Sequence, residues 1–118
     1  MIYLAAPYSG TPEIQAIRYL AINKVFARLC DNNEIPFSPI SMCHQAALDH
    51  DMPKDAAWWA AFNLAYMRLC SEMIVICLPG WAKSKGVALE LEWANYLGIP
   101  VTYVDQDNNP LLCDNLPA

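Results

Sequence analysis

The chain has 118 residues, 56% hydrophobic and 16% charged, enough for one domain with a core of its own. A formal net charge of −5 with seven scattered basic residues argues against a nucleic-acid polymer as partner, because phosphate-backbone contacts need clustered Lys and Arg. A single phosphate on a small ligand is still allowed. No apolar run reaches transmembrane length, and Met1 to Pro7 is too short and lacks a basic leader, so no membrane partner and a cytoplasmic location are expected.

In chain order, Ile2 to Ala6 predicts a short apolar strand stopped by Pro7 and Gly10. Thr11-Pro12-Glu13 reads as a helix start, with Thr as N-cap and Pro in the first turn. Ile14, Ile17, Leu20, Ala21, Val25 and Leu29 follow at helical spacing, and Asp31-Asn32-Asn33 ends the helix. Ile35 to Ser38 predicts a second strand closed by Pro39. Ser41 to Pro53 lacks clear periodicity and reads as a loop with one helical turn. Lys54 to Cys70 predicts a helix rich in Ala, Trp and Leu, Met73 to Leu78 a third strand, and Ser84 to Leu97 a third long helix. Pro100 to Val104 predicts a fourth strand, and the Pro- and Asn-rich segment 105–118 an extended C-terminal tail beyond a domain of residues 1–104.

Strands alternating with helices predict an α/β fold: three layers, with a Rossmann- or flavodoxin-like parallel sheet of four or five strands and helices on both faces. Ligands of such sheets gather outside the carboxyl ends of the strands. Three unusual clusters follow strands here, at Tyr8-Ser9-Gly10, at Pro39 to His44 and at Pro79 to Ser84, and their convergence predicts one site.

Glu90 is the chemical focus. Its neighbours three and four residues away on the helix are Gly86, Val87, Trp93 and Ala94, so it faces the protein rather than solvent. An inward carboxylate is unfavourable unless it is paired or used. The alternative to a chemical role is an ion pair with Lys83 or Arg18. Ser84 stands at the helix start, as an N-cap, a phosphate contact or both.

The order Ile2-Tyr3-Leu4-Ala5-Ala6-Pro7-Tyr8-Ser9, Arg18, Phe37-Ser38-Pro39-Ile40 with His44, and Leu78-Pro79-Gly80-Trp81 with Ser84-x-Gly86 and Glu90 resembles the nucleoside 2-deoxyribosyltransferase-like superfamily, and within it a small bacterial and phage branch. The resemblance covers roughly residues 1–104. It implies cleavage of the N-glycosidic bond of a nucleoside or nucleoside monophosphate, by transfer to a second base or by hydrolysis. It implies that Glu90 is the nucleophile, that Tyr3 contacts it and that Ser84 binds phosphate. It implies no metal and no organic cofactor, and a site often completed by a second subunit.

One position departs from the pattern. Where the superfamily has an aspartate that assists departure of the base, this chain has Asn63, and an amide cannot give up and regain a proton as a carboxylic acid does. Either another group transfers the proton, or catalysis is weak, or the protein binds a nucleotide without turning it over, as a sensor or sequestering protein.

The remaining candidates carry two readings each. Tyr8, Ser9 and Gly10 border the ligand or merely shape the first loop. Arg18 is a solvated arginine or an anion contact. His44 is structural, touches sugar or phosphate, or replaces the missing acid. Trp59, one turn before Asn63, packs in the core or stacks on a base. Gly80 supplies a turn conformation, and Gly86 allows close packing or close approach of a ligand. His50 between Asp49 and Asp51 does not make a metal site, because adjacent residues do not converge on one ion. So little charge on so small a chain also predicts a homodimer or larger homo-oligomer.

Overall fold

A computed structural model describes residues 1–53 and 56–118. The elements are β1 (Ile2–Ala5), α1 (Pro12–Asp31), β2 (Pro36–Phe37), α2 (Pro39–Asp49), α3 (Ala56–Met67), β3 (Glu72–Ile76), α4 (Lys85–Leu97), β4 (Val101–Val104) and β5 (Pro110–Leu111). The strands form one sheet in the order β2-β1-β3-β4-β5, parallel except for β5. This is the expected three-layer α/β architecture.

Alternation along β1 and β3 explains the layers. Ile2, Leu4, Ile74 and Ile76 point to one face, where they meet Ile22, Val25 and Leu29 of α1. Tyr3, Ala5, Met73 and Val75 point to the other, where they meet Met67 of α3 and Val87 and Ala94 of α4. Both strands are therefore near-continuous apolar runs, as buried parallel strands require.

The chain leaves β1 toward β2 on one side and crosses to β3 on the other, so the strand order reverses between β1 and β3. At such a reversal the connecting segments part and leave a crevice above the carboxyl ends of the strands. The loops after β1 and β3 flank it.

Three expectations are corrected. Segment 41–53 is not a loop: residues 39–49 form α2, with the Ser38 hydroxyl accepting from Ser41 N at 3.0 Å and Pro39 in the first turn. Ser38-Pro39 is the same start signal as Thr11-Pro12, and here it opens a helix instead of only closing a strand. The apolar positions at the start of α1 do not face the core: Ile14, Ile17 and Leu20 are exposed, while Gln15 is buried ahead of Ile22. Segment 105–118 is not an extended tail. It turns at Asp105, whose carboxylate accepts from Asp107 N and Asn109 N, and returns as β5 antiparallel to β4. Its end is tied down where Trp81 Nε1 donates to Pro117 O at 2.9 Å. The helix start expected at Lys54 lies outside the described residues.

Candidate functional site

A cavity of about 840 Å³ lies over the β1–β3 reversal. Its described lining takes in Ala6 to Ser9 after β1, Pro39, Ile40, Cys43 and His44 from α2, Trp59 and Asn63 from α3, and Gly80, Lys83 to Gly86 and Ala88 to Glu90 around the start of α4. The three expected loops thus meet in one place. Among the candidates, Tyr8, Ser9, Arg18, His44, Trp59, Asn63, Gly80, Ser84, Gly86 and Glu90 border the cavity. Tyr3 sits behind Glu90, and Gly10 is not among the described lining residues.

Glu90 is buried, with 9% exposure. Tyr3, which has none, donates its hydroxyl to Glu90 Oε2. Among the described residues the single fully buried side-chain polar atom without a partner is Asn63 Oδ1. Glu90 borders the cavity, and among the described residues no hydrogen bond reaches its Oε1. Desolvation pushes the Glu90 carboxyl up to about 8, against the opposing pull of the Tyr3 hydrogen bond. Burial first, and then the negative charge of Glu90, drive the Tyr3 phenol well above its ordinary value, so it remains a donor. No ion pair joins Glu90 to Lys83 or Arg18 among the described residues.

Ser84 caps α4, its hydroxyl accepting from Val87 N at 3.2 Å. The first turn of α4 thus faces the cavity with its partial positive charge, and Lys83 and Lys85 border the same region. Sequence offers Lys83 only as an ion-pair partner for Glu90 and does not single out Lys85. Their positions flanking the N-cap serine were the available signal. Glu92 and Trp93 also border the cavity, about two helical turns past Lys85 and Gly86 respectively.

Arg18 borders the cavity and also braces its walls. Its Nη1 donates to Ser9 O at 2.9 Å and its Nη2 to Pro79 O at 3.0 Å, so it bridges the loops after β1 and β3. Gly80, at φ +89°, lets it do so: a Cβ there would lie 3.1 Å from Arg18 Nη2.

His44 is buried on α2. Its ring stacks on Tyr19 of α1, with centroids 4.1 Å apart and planes 22° apart, and its Nδ1 shares a hydrogen bond with the Tyr8 hydroxyl. Trp59 meets Phe62 edge-on at 5.2 Å, whereas Trp58 is 54% exposed.

The arrangement supplies a hydrogen-bonded carboxyl at the wall of an open crevice and a cationic helix start beside it. A family model described as a domain of unknown function, DUF1937, matches residues 1–106. The chain belongs to the DUF1937 family. No curated protein matches it. The DUF1937 match includes every described residue that lines the cavity, and it ends before β5 and the Pro117 tie. Among the described residues no helix is long and apolar enough to cross a membrane, and no three His, Cys, Asp or Glu side chains converge as a metal site.

Proposed function

We propose that the protein cleaves or transfers the N-glycosidic bond of a nucleoside or nucleoside 5′-monophosphate through a covalent glycosyl ester on Glu90. The observation that carries this reading is the buried Glu90 carboxyl at the cavity wall, held by Tyr3 through one oxygen, with no hydrogen bond to the other among the described residues. Attack of that free oxygen on the anomeric carbon splits a hard displacement into two easier steps. The transition state has oxocarbenium character, and its positive charge favours the ionised carboxylate that burial otherwise disfavours. A 5′-phosphate fits the start of α4 beside Lys83 and Lys85. Trp59 and Trp93 offer flat apolar surfaces to a base.

The test is incubation with a panel of deoxyribo- and ribonucleosides and their 5′-monophosphates, with free base measured by chromatography. Base release that disappears in Glu90→Ala, together with a glycosyl mass increment on the Glu90 peptide from a slow fluorinated substrate, supports the reading. No release from any member of the panel overturns it.

Asn63 favours a second reading, a nucleotide-binding protein that senses or sequesters its ligand. Its amide transfers no proton, and its buried Oδ1 lacks a partner among the described residues. Calorimetric binding of a nucleotide without base release, with turnover appearing in Asn63→Asp, would favour it.

The proposal includes self-association. Helix α3 has no charged residue between its ends, yet Ala57, Trp58, Ala61 and Ala65 are exposed along it. A helix apolar all round belongs in an interface or a core. Light scattering on wild type and Trp58→Glu tests this: a dimer or larger species that dissociates in the variant is expected, and a wild-type monomer refutes it.

A further inference from the structure

We propose that the Tyr8 hydroxyl, backed by His44, delivers the proton that the departing base requires. This rests on the N-glycosidic reading above. Breaking the bond between C1′ and a purine nitrogen leaves an electron pair on the base, and a neutral purine departs readily only when one of its ring nitrogens takes up a proton. Asn63 borders the cavity but has no proton to exchange.

The other described groups lining the cavity suit the task poorly. Glu90 is engaged with the anomeric carbon. Cys43 is a thiol raised by burial. Arg18 is committed to Ser9 O and Pro79 O, and Lys83 and Lys85 stand at the start of α4, where the phosphate is placed. Glu92 is exposed to solvent, whereas Tyr8 and His44 are held against each other in the wall. An imidazole is the side chain whose ordinary titration falls near neutrality, and His44 is the imidazole at this cavity.

The geometry around His44 is that of a held proton source. The Tyr19 stack fixes the plane of its ring. The Tyr8 ring meets it edge-on, at 87° and 5.6 Å between centroids, and the hydrogen bond fixes Nδ1 as the nitrogen facing the hydroxyl. Tyr8 belongs to the same loop as Ala6, Pro7 and Ser9, all on the cavity wall. Burial raises the Tyr8 phenol, so a free tyrosinate is unfavourable and a second proton donor behind it is useful.

In the step itself the C1′–N bond breaks and its electron pair passes to the base. A ring nitrogen of the base takes the Tyr8 hydroxyl proton, and the Tyr8 oxygen takes the Nδ1 proton of a His44 imidazolium, which becomes neutral. The Glu90 carboxylate forms the new bond to C1′. The water that later opens the ester, or the N–H of an incoming base, returns one proton to His44. Tyr8 is thus the catalytic residue and His44 a positioning residue that acts through it.

The test compares a purine deoxynucleoside 5′-monophosphate with its N7-methylated form, whose cationic base departs without taking up a proton. Tyr8→Phe and His44→Gln are expected to lose about 10²–10⁴ in kcat on the unmethylated substrate, the range of general acid catalysis. They should lose less than about tenfold on the methylated one, with KM within about threefold for both. Equal losses on the two substrates would overturn the proposal while leaving a Glu90-dependent reaction standing. Wild type that releases base from neither substrate would remove the N-glycosidic reading and this proposal together. Since His44 is buried, its substitution risks the fold. Tyr8→Phe keeps the ring, and with an unchanged melting temperature it decides the matter alone.

Discussion

The Tyr3 hydroxyl on the first strand donates to Glu90 Oε2 on the last long helix, from a side chain with no exposure of its own. Two opposed effects meet in that contact. Removal from water disfavours the charged carboxylate, and the hydrogen bond favours it, with burial the larger.

Glu90→Gln is expected to stabilise the protein at alkaline pH while abolishing base release. The folded carboxyl titrates at about 8 against an ordinary 4.5. Below the lower value both states are protonated and the group contributes nothing. Between the two the unfolded chain ionises first, so wild-type stability falls as pH rises, and the loss levels off above about 8. Glutamine does not ionise and can still accept from Tyr3. Melting curves should coincide near pH 4 and separate by pH 9, by on the order of a few kcal/mol at about 1.4 kcal/mol per pH unit of displacement. Parallel curves across this range would refute the buried-carboxyl account.

Tyr3→Phe removes the donor that favours ionised Glu90. Its carboxyl should then titrate higher still, moving the acid limb of the pH–rate profile upward. The lost buried hydrogen bond should lower stability by about 1–3 kcal/mol. A profile unchanged in position would show that the contact has no influence on the acid.

Gly80→Ala brings a Cβ toward Arg18 Nη2 and places alanine at φ +89°. Left-handed backbone of this kind is unfavourable for non-glycine residues by about 1–2 kcal/mol. We expect a lower melting temperature and weaker nucleotide binding, because the Arg18 bridge to Pro79 O must shift. Calorimetry and thermal melting read both effects, and wild-type values in both would sink the expectation.

Trp81→Phe retains a ring over Tyr103 but loses the donor to Pro117 O. The end of the chain should loosen: amide exchange should quicken over residues 113–118 while β1 and β3 stay protected. Unaltered exchange there would show that the indole bond does not hold the segment.

Much of this architecture was legible from local pattern. The apolar runs of β1 and β3 and the spacing around Glu90 report directly on burial, because parallel strands and helix faces have fixed periods. Other features depend on partners distant in sequence. The start of α1 has apolar residues at helical spacing, yet Ile17 and Leu20 are exposed, since which face of a helix is covered is decided by what the sheet presents to it. Arg18 gave no sign that its targets were backbone carbonyls nine and sixty-one residues away. The pairing of Tyr8 with His44 requires α2 to exist, and α2 is hidden in the sequence because a Pro39 that follows an apolar strand serves equally as a strand stop and as a first-turn residue.

The Arg18 bridge has an evolutionary consequence. Both of its acceptors are main-chain oxygens, so the width of the crevice mouth is independent of which side chains occupy positions 9 and 79. Relatives that keep this arginine, and a residue at position 80 tolerant of left-handed backbone, are free to diversify the lips of the opening, and so their choice of ligand, without respacing the frame that carries them.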